Sequence, residues 1–132
     1  VLPALIRKIH DARVLDAKEV VVWGTGKPRR EFLHVDDLAD AALFLMNNYD
    51  SEDIINVGVG EDVSIRELAE LIKEIVGFKG KIIYDFSKPD GTPRKLLDVS
   101  RLTNLGWKPR IELREGIAKT YEWYLEHGGA KA

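Results

Sequence analysis

The stretch "SIRELAELIKEIVGFKGKIIYDF", residues 64–86, encodes a helix followed directly by a strand. Ser64 and Glu67 have the spacing of a capping box, in which each side chain accepts a hydrogen bond from the other residue's backbone N–H at the start of a helix. Apolar residues then recur at helical spacing along one face, namely Ile65, Leu68, Leu71, Ile72 and Ile75. The β-branched and aromatic run "KIIYDF", residues 81–86, predicts a short strand after this helix.

Elements of both kinds continue towards the amino terminus. Apolar residues at helical spacing predict an amphipathic helix from residue 3 to about 14, with Pro3 near its start. Further elements are predicted as a buried strand in "EVVVWG" (19–24), an extended segment in "REFLHV" (30–35), a helix from Leu38 to about Asn47 capped by Asp36 or Asp37, and a strand in "DIINVGV" (53–59). Helices and strands therefore alternate, which indicates an α/β or α+β architecture.

The carboxy-terminal part completes this pattern. "ELREGIAKTYEWYLEH", residues 112–127, predicts a helix with Leu113, Ile117, Tyr121 and either Tyr124 or Leu125 on one stripe. We expect one globular domain over residues 1–127 and a disordered tail, "GGAKA", over 128–132.

Composition excludes several functional classes. The 132 residues carry a formal net charge of −2, which gives no support for a nucleic-acid-binding role. The absence of cysteine excludes disulfides and thiolate chemistry and suits a reducing compartment, so we expect a cytoplasmic protein. No apolar run is long enough to span a membrane. The chain also begins with Val1 in place of Met, which hints at a cut in a longer polypeptide.

Two glycine pairs resemble the start of a dinucleotide-binding loop but lack its context. Gly24-Thr25-Gly26 follows a strand, yet "KPRREF" comes where a helix should begin, so a turn between strands is the better interpretation. Gly58-Val59-Gly60 precedes its helix by several residues, and we interpret it as a loop that lets backbone approach another group.

Other apparent catalytic patterns also have structural explanations. Tyr84 and Lys88 have the Tyr-x-x-x-Lys spacing of short-chain dehydrogenases, but on a strand they would lie roughly 13 Å apart and not on one helical face. His34 is expected to satisfy a local hydrogen bond at a helix start, and Asp36, Asp37 and Asp40 to complement the helix dipole. His10, His34 and His127 are scattered without metal-ligand spacing. We therefore assign no catalytic, cofactor-binding or metal-binding residue within this chain.

Basic residues on loops suggest an anion-binding role. "KPDGTPRK", residues 88–95, places cations around two prolines and a glycine, and Lys27, Arg29 and Arg30 form a second cluster after the first strand. Arginine and lysine together suit a diphosphate, and Trp23 offers a flat surface for a base or a sugar. The residues thus favour binding of a phosphorylated small molecule.

Four segments carry a family resemblance: "VLPALIRKIH" (1–10), "VVVWGTGKPRREFLHVDDLADA" (20–41), "INVGVGEDVSIRELAELI" (55–72) and "SKPDGTPRKLLDVSRLTNLGWKP" (87–109). In this order they resemble the carboxy-terminal, substrate-binding part of the GDP-L-fucose synthase family, within the extended short-chain dehydrogenase/reductase superfamily. The resemblance implies an α/β lobe over residues 1–127 of a parent enzyme with a Rossmann-type cofactor domain, whose dinucleotide-binding half is missing here.

The resemblance also implies an activity for the parent enzyme. Family members convert GDP-4-keto-6-deoxy-D-mannose to GDP-L-fucose by C3/C5 epimerisation and NADPH-dependent reduction at C4. Their glycine-rich cofactor loop and their catalytic Ser, Tyr, Lys, Cys and His lie before the position that matches Val1, so this chain alone is expected to be inactive and to bind no NADP. Expected partners are the GDP-sugar, the missing half and, through exposed apolar surface, further copies of the chain.

The substrate contacts of the family map onto this sequence by motif. The matching positions are Lys8, Trp23, Arg30 and Lys95, with Lys81 and Asp90 as neighbours. Two alternatives stay open: a nucleotide-sugar-binding module without catalysis, and the substrate lobe of a related nucleotide-sugar epimerase or dehydratase.

Overall fold

The computed structural model describes residues 1–128 as a mixed α/β structure. The elements are α1 (Leu2–Val14), β1 (Glu19–Trp23), β2 (Arg29–Arg30), α2 (Val35–Asn48), β3 (Val63–Ser64), α3 (Ile65–Val76), β4 (Lys81–Asp85), β5 (Arg94–Lys95), α4 (Ser100–Asn104) and α5 (Leu113–His127). The tail predicted at 128–132 lies outside the described residues except for Gly128, whose N–H donates to the Tyr124 carbonyl at 2.8 Å. None of the helices in this described part is long and apolar enough to cross a membrane.

The strands form two small sheets. β1 and β4 are parallel neighbours, in a register that runs from Glu19 opposite Lys81 to Trp23 opposite Asp85. The second sheet has the order β3-β2-β5, with β2 antiparallel to β3 and parallel to β5. β3 and β5 were not predicted, because two-residue strands carry no periodicity of their own.

The main core lies between β1 and three helices. Val20 and Val22 of β1 are buried with apolar residues of α1, α3 and α5. The opposite face of this sheet is more open, since Val21, Trp23 and Ile83 are 37%, 67% and 39% exposed. The prediction of a buried strand at 19–24 is therefore correct for one face only, because helices cover β1 on one side.

The α3 helix matches its prediction closely. The Ser64 hydroxyl oxygen accepts from the Glu67 N–H at 3.1 Å, and Glu67 Oε2 accepts from the Ser64 N–H at 2.8 Å, which completes the capping box. Hydrogen bonds from the backbone and then the side chain of Ser64 hold the pKa of Glu67 below its usual value. The helix ends at Gly77, whose φ of 76° is the left-handed conformation that glycine favours at this position.

The strand predicted in "DIINVGV" is wrong. Residues 53–59 have no regular structure, because none of the described strands lies beside them to pair with their backbone. Side chains contact the segment instead: Arg101 donates to the Ile54 carbonyl at 2.9 Å, and Asn56 donates to the Asp98 carbonyl at 3.0 Å. Ile55 and Val57 still pack on a second apolar cluster, formed by Ala41, Leu102 and Trp107.

The start of α2 differs from its prediction. The helix begins at Val35, three residues earlier than expected, and His34 occupies the cap position that was assigned to Asp36 or Asp37. His34 Nδ1 accepts from the Asp36 N–H at 3.2 Å, so the predicted local hydrogen bond of this histidine is confirmed. Of the extended segment predicted at 30–35, only Arg30 belongs to a strand, β2, and Val35 belongs to α2.

One face of α2 is apolar and open to solvent. Val35, Leu38, Leu43 and Met46 recur at helical spacing and are 67%, 49%, 62% and 80% exposed. We expect the chain to self-associate or to bind a hydrophobic dye through this face.

The change Leu43→Glu with Met46→Glu should suppress both effects, because it places charge in the apolar stripe. Light scattering and dye fluorescence over a broad concentration range would measure the difference. Leu15→Glu is the matched control, since Leu15 is 77% exposed and lies away from α2, directly after the end of α1. A wild-type chain that stays monomeric and binds no dye would contradict the prediction.

Candidate functional site: a basic pocket beside Trp23

The candidate site lies at the carboxyl ends of the two parallel strands. Trp23 ends β1 and Asp85 ends β4, and the Gly24 N–H donates to the Asp85 carbonyl at 2.9 Å. The segments that follow, residues 24–28 and 86–93, therefore start side by side. This is the edge of a parallel sheet at which α/β proteins commonly bind ligands.

The turn after β1 needs its glycines for local reasons. Gly24 and Gly26 have φ values of 81° and 75°, which side chains other than glycine rarely adopt. A Cβ on Gly26 would also lie 2.7 Å from the ring of Tyr84. The turn leads into β2, as the sequence predicted, and the glycines bring the backbone close to Tyr84 and Asp90.

A pocket of about 430 Å³ opens beside this turn. Lys8, Trp23, Arg30 and Asp90 line it together with apolar groups such as Leu5, Val22 and Ile65. The ammonium groups of Lys8 and Lys88 lie 5.7 and 5.6 Å from the centroid of the Trp23 ring, within the range of cation–π attraction. The pocket thus combines an exposed aromatic surface with nearby positive charge.

The structure brings together most of the site residues that the resemblance implied. Lys8, Trp23, Arg30 and Asp90 share one pocket, and Lys95 lies beside Arg30 because β5 pairs with β2 in parallel register. Lys81 does not join them. It pairs with Glu19 at the amino end of β4, four residues before Asp85 and therefore roughly 13 Å along the strand from the pocket edge.

Asp90 faces the turn after β1 and not the open part of the pocket. Its carboxylate accepts from the Thr25 hydroxyl at 2.6 Å and from the Thr25 N–H at 2.8 Å. These two bonds hold the pKa of Asp90 below its usual value, with the hydroxyl bond as the larger cause. Asp90 therefore fastens the loop 88–93 to the turn 24–26, a contact that sequence patterns could not show.

Replacing Asp90 by alanine should free this loop and weaken binding of a nucleotide in the pocket by several-fold, since the loop would then have to be ordered on binding. Thr25→Val should have a similar effect, because it removes the shorter of the two bonds and keeps the side-chain size. Calorimetric titration with GDP would measure both variants. An unchanged affinity in both would show that the bond to Thr25 does not support the pocket.

The cations around the pocket form no direct ion pairs with carboxylates of the described residues, although the pKa of Asp85 is lowered by hydrogen bonds from Ser87 and, to a lesser extent, by the charge of Lys88. Among residues 1–128, no acidic side chain forms an ion pair with Lys8, Arg30, Lys88 or Lys95, whereas most other arginines of this part are paired. Asp85, close by, accepts from the hydroxyl and the N–H of Ser87, bonds that lower its pKa. Asp85 and Asp90 offset part of this charge, but the four cations outnumber them, and a surplus of positive charge at a concave site favours an anionic ligand.

A second cleft, of about 710 Å³, lies between the segments 58–63 and 107–114. Two of its cations are already paired, Arg110 with Asp40 at 3.7 Å and Arg114 with Glu74. Arg30 and Lys108 also line it without an ion-pair partner among residues 1–128, but its tryptophan, Trp107, is 5% exposed and offers no open aromatic surface like that of Trp23. Within residues 1–128 no three histidine or carboxylate side chains come together as a metal site.

The glycines before β3 have a structural partner. Glu31 Oε2 accepts from the N–H groups of Val59 and Gly60 at 3.1 and 2.7 Å, and a Cβ on Gly58 would lie 2.7 Å from Glu31 Oε1. The group predicted to approach this backbone is thus a carboxylate of the chain itself. These two N–H groups are satisfied internally and are not free to bind a phosphate.

Sequence reasoning missed Asp62, although its side chain is only 4% exposed and bonds to two arginines. It also missed the bond between Asp90 and Thr25. Neither pairing has a motif, because the partners lie 32 or more positions apart in the chain.

Known proteins resemble this chain over almost its whole length. Residues 1–58 match the NAD dependent epimerase/dehydratase family. A probable GDP-L-fucose synthase from Oryza sativa subsp. japonica is 61% identical over 127 residues, which cover 96% of this chain and 39% of that protein. The chain is a homologue of proteins named GDP-L-fucose synthase. It spans about 39% of the length of these relatives.

Solved structures agree with this relationship. A GDP-L-fucose synthetase from Naegleria fowleri bound to NADP superposes with a TM-score of 0.89 at 35% identity, covering 96% of this chain and 40% of that one. A GDP-mannoheptose C4 reductase from Campylobacter jejuni with NADP bound gives a TM-score of 0.82 at 45% identity, covering 94% of this chain and 44% of the reductase chain. The mixed α/β architecture of the described residues therefore matches the corresponding parts of these two structures.

Proposed function

We propose that this chain is the GDP-sugar-binding part of an NADP-dependent GDP-L-fucose synthase, which converts GDP-4-keto-6-deoxy-D-mannose to GDP-L-fucose by C3/C5 epimerisation and C4 reduction. One observation carries the proposal: the ammonium groups of Lys8 and Lys88 lie over the exposed ring of Trp23, beside a pocket that Arg30 also lines, and Lys95 pairs with Arg30 across β5 and β2. The names of the relatives support GDP as the nucleotide.

Each part of the pocket has a distinct role in this proposal. The indole of Trp23, 67% exposed, offers a flat surface for the guanine base or the sugar. Arg30 supplies a planar fork of donors for phosphate oxygens, and Lys95 adds a point charge beside it. Lys8 stands where some family members have arginine, so it contributes charge without the bidentate geometry.

The proposal assigns NADP to another part of the enzyme. A pyrophosphate of a dinucleotide is usually received by a glycine-rich turn that opens a helix. In the described residues, the Gly24–Gly26 turn leads into β2, and the N–H groups of Val59 and Gly60 bond to Glu31. These residues do not fit the cofactor, and the catalytic groups of the family match no position here. The chain alone should therefore be inactive.

Calorimetric titration of the 132-residue chain tests the proposal. We expect saturable binding of GDP that weakens as salt rises, because charge–charge attraction is screened. We expect no saturable heat or fluorescence enhancement with NADPH. Saturable NADPH binding, or the absence of any GDP binding at low salt, would contradict the proposal.

A second candidate is the substrate lobe of a related GDP-sugar reductase or epimerase, or a binding module without catalysis. The match to the GDP-mannoheptose C4 reductase favours the former. Competition between GDP and GDP-L-fucose, GDP-mannose or a UDP-sugar would separate these candidates. Equal affinity for UDP- and GDP-sugars would contradict the assignment of guanosine.

A further inference from the structure

Asp62 joins two arginines that come from different strands. Its carboxylate accepts from Arg29 Nε at 2.7 Å and from Arg94 Nε at 2.5 Å, and its backbone carbonyl accepts from Arg29 Nη2 at 2.9 Å. The Asp62 side chain is 4% exposed, while those of Arg29 and Arg94 are 41% and 60% exposed. The hydrogen bonds from Arg29 and then Arg94 hold the pKa of Asp62 below its usual value, so it stays ionised at neutral pH.

The pairing of β2 with β5 creates two pairs of like charges. The parallel register places Arg29 beside Arg94 and Arg30 beside Lys95. Because successive side chains of a strand point to opposite faces, the two pairs lie on opposite faces of the sheet. Like charges on neighbouring strands destabilise a sheet. Asp62 bridges the first pair, and Glu67, 3.5 Å from Arg29, compensates the remaining charge, whereas no carboxylate of residues 1–128 forms an ion pair with the second.

We propose that Asp62 is a positioning residue for the nucleotide site: by binding Arg29 and Arg94 on one face, it holds β5 against β2 and keeps Arg30 and Lys95 side by side on the other. This inference rests on the proposed function, which assigns Arg30 and Lys95 to the diphosphate.

The hydrogen bonds from Arg29 and Arg94 to Asp62 are important because β5 is short. β5 has only two residues, and a strand pair of that length is not stable by itself in water. Besides the pairing within the sheet, the Arg29 N–H donates to the Pro93 carbonyl at 2.8 Å. Asp90 fastens the other end of the same loop to Thr25. Two carboxylates therefore hold the loop at both ends, and Asp62 holds the end that carries Lys95.

The experiment compares Asp62→Asn with the wild type by two measurements. Calorimetry with GDP should show affinity weaker by roughly tenfold, because the binding of the diphosphate must then also order the loop and its side chains. Trypsin cleavage after Lys95, followed by mass spectrometry, should become several-fold faster, because β5 separates from β2. Cleavage after Lys119, in α5, should not change and serves as the internal control. Circular dichroism of both proteins checks that the fold is kept.

Matched variants separate positioning from general loss of stability. Asp53→Asn removes an aspartate–arginine pair elsewhere on the surface, with Arg101 at 2.9 Å, and should leave GDP affinity and cleavage after Lys95 unchanged. Arg94→Gln should reproduce the effect of Asp62→Asn, and the double variant should be no worse than the more affected single one, because both changes break the same link. If Asp62→Asn does not fold, Arg94→Gln alone supplies the test, because Asp62 then still accepts the hydrogen bond from Arg29.

The outcomes also distinguish this inference from the proposed function. If the wild type does not bind GDP, the proposed function fails, and the cleavage rate after Lys95 still decides whether Asp62 positions β5. Unchanged cleavage and unchanged GDP affinity in Asp62→Asn would overturn the inference. Additive losses in the double variant would overturn it as well, because they would show two independent effects.

Discussion

Arg30→Ala is expected to weaken GDP binding by roughly 10- to 150-fold, and Lys95→Ala by a similar factor. Both residues lie on one face of β2 and β5, without an ion-pair partner among residues 1–128. A charge-assisted hydrogen bond to a phosphate contributes about 1.5–3 kcal/mol, which corresponds to this range of affinities. Titration with GDP at two ionic strengths measures the effect, and the salt dependence should be shallower for Lys95→Ala than for the wild type.

Lys27→Ala is the matched control for this prediction. Lys27 lies three residues before Arg30, in the segment between β1 and β2. It is exposed, but it does not line the pocket. A solvated charge away from the ligand is largely screened, so its loss should change GDP affinity little. If Lys27→Ala loses binding while Lys95→Ala keeps it, the assignment of the diphosphate to β5 is wrong.

The parts of the fold that sequence predicted are those that local interactions determine. The α3 helix could be placed because its capping box and its apolar stripe lie within 13 consecutive residues. The segment 53–59 has the residue types of a strand, but a strand also needs a neighbour to pair with, and that neighbour is absent from the described residues. The two-residue strands β3 and β5 exist only through their pairing with β2.

The site was predictable in its residue types more than in its connections. Charge and the exposed tryptophan pointed to Trp23, Arg30 and the loop 88–95, which the structure does bring together. Lys81 could not be excluded from sequence, because only the register of β4 shows that it lies at the opposite end of the strand. The roles of Asp62 and Asp90 depend on hydrogen bonds between distant segments, which no spacing rule encodes.

Asp37→Ala is expected to lower the free energy of unfolding by about 2–4 kcal/mol. Asp37 is 3% exposed, and its carboxylate accepts from the backbone N–H groups of Ile111 at 2.9 Å and Arg110 at 3.2 Å. The first turn of α2 is thereby joined to the segment that precedes α5. Removing the carboxylate leaves both N–H groups without this partner in a partly buried place, which costs more than the loss of a solvated bond. Urea denaturation followed by circular dichroism measures the change.

Asp36→Ala is the comparison that shows whether the helix dipole or the bonds to Arg110 and Ile111 cause the loss of stability in Asp37→Ala. From sequence, one of the two residues was expected to cap α2 and both to complement its dipole, and the dipole interaction contributes about 0.3–1 kcal/mol to stability at an exposed position. The Asp36 side chain is 73% exposed, so its replacement should stay within that range. Asp37→Asn should fall between the two, because its amide oxygen can still accept one of the backbone bonds. If both alanine variants lose the same small amount, the helix dipole accounts for both residues and the bonds to Arg110 and Ile111 contribute little.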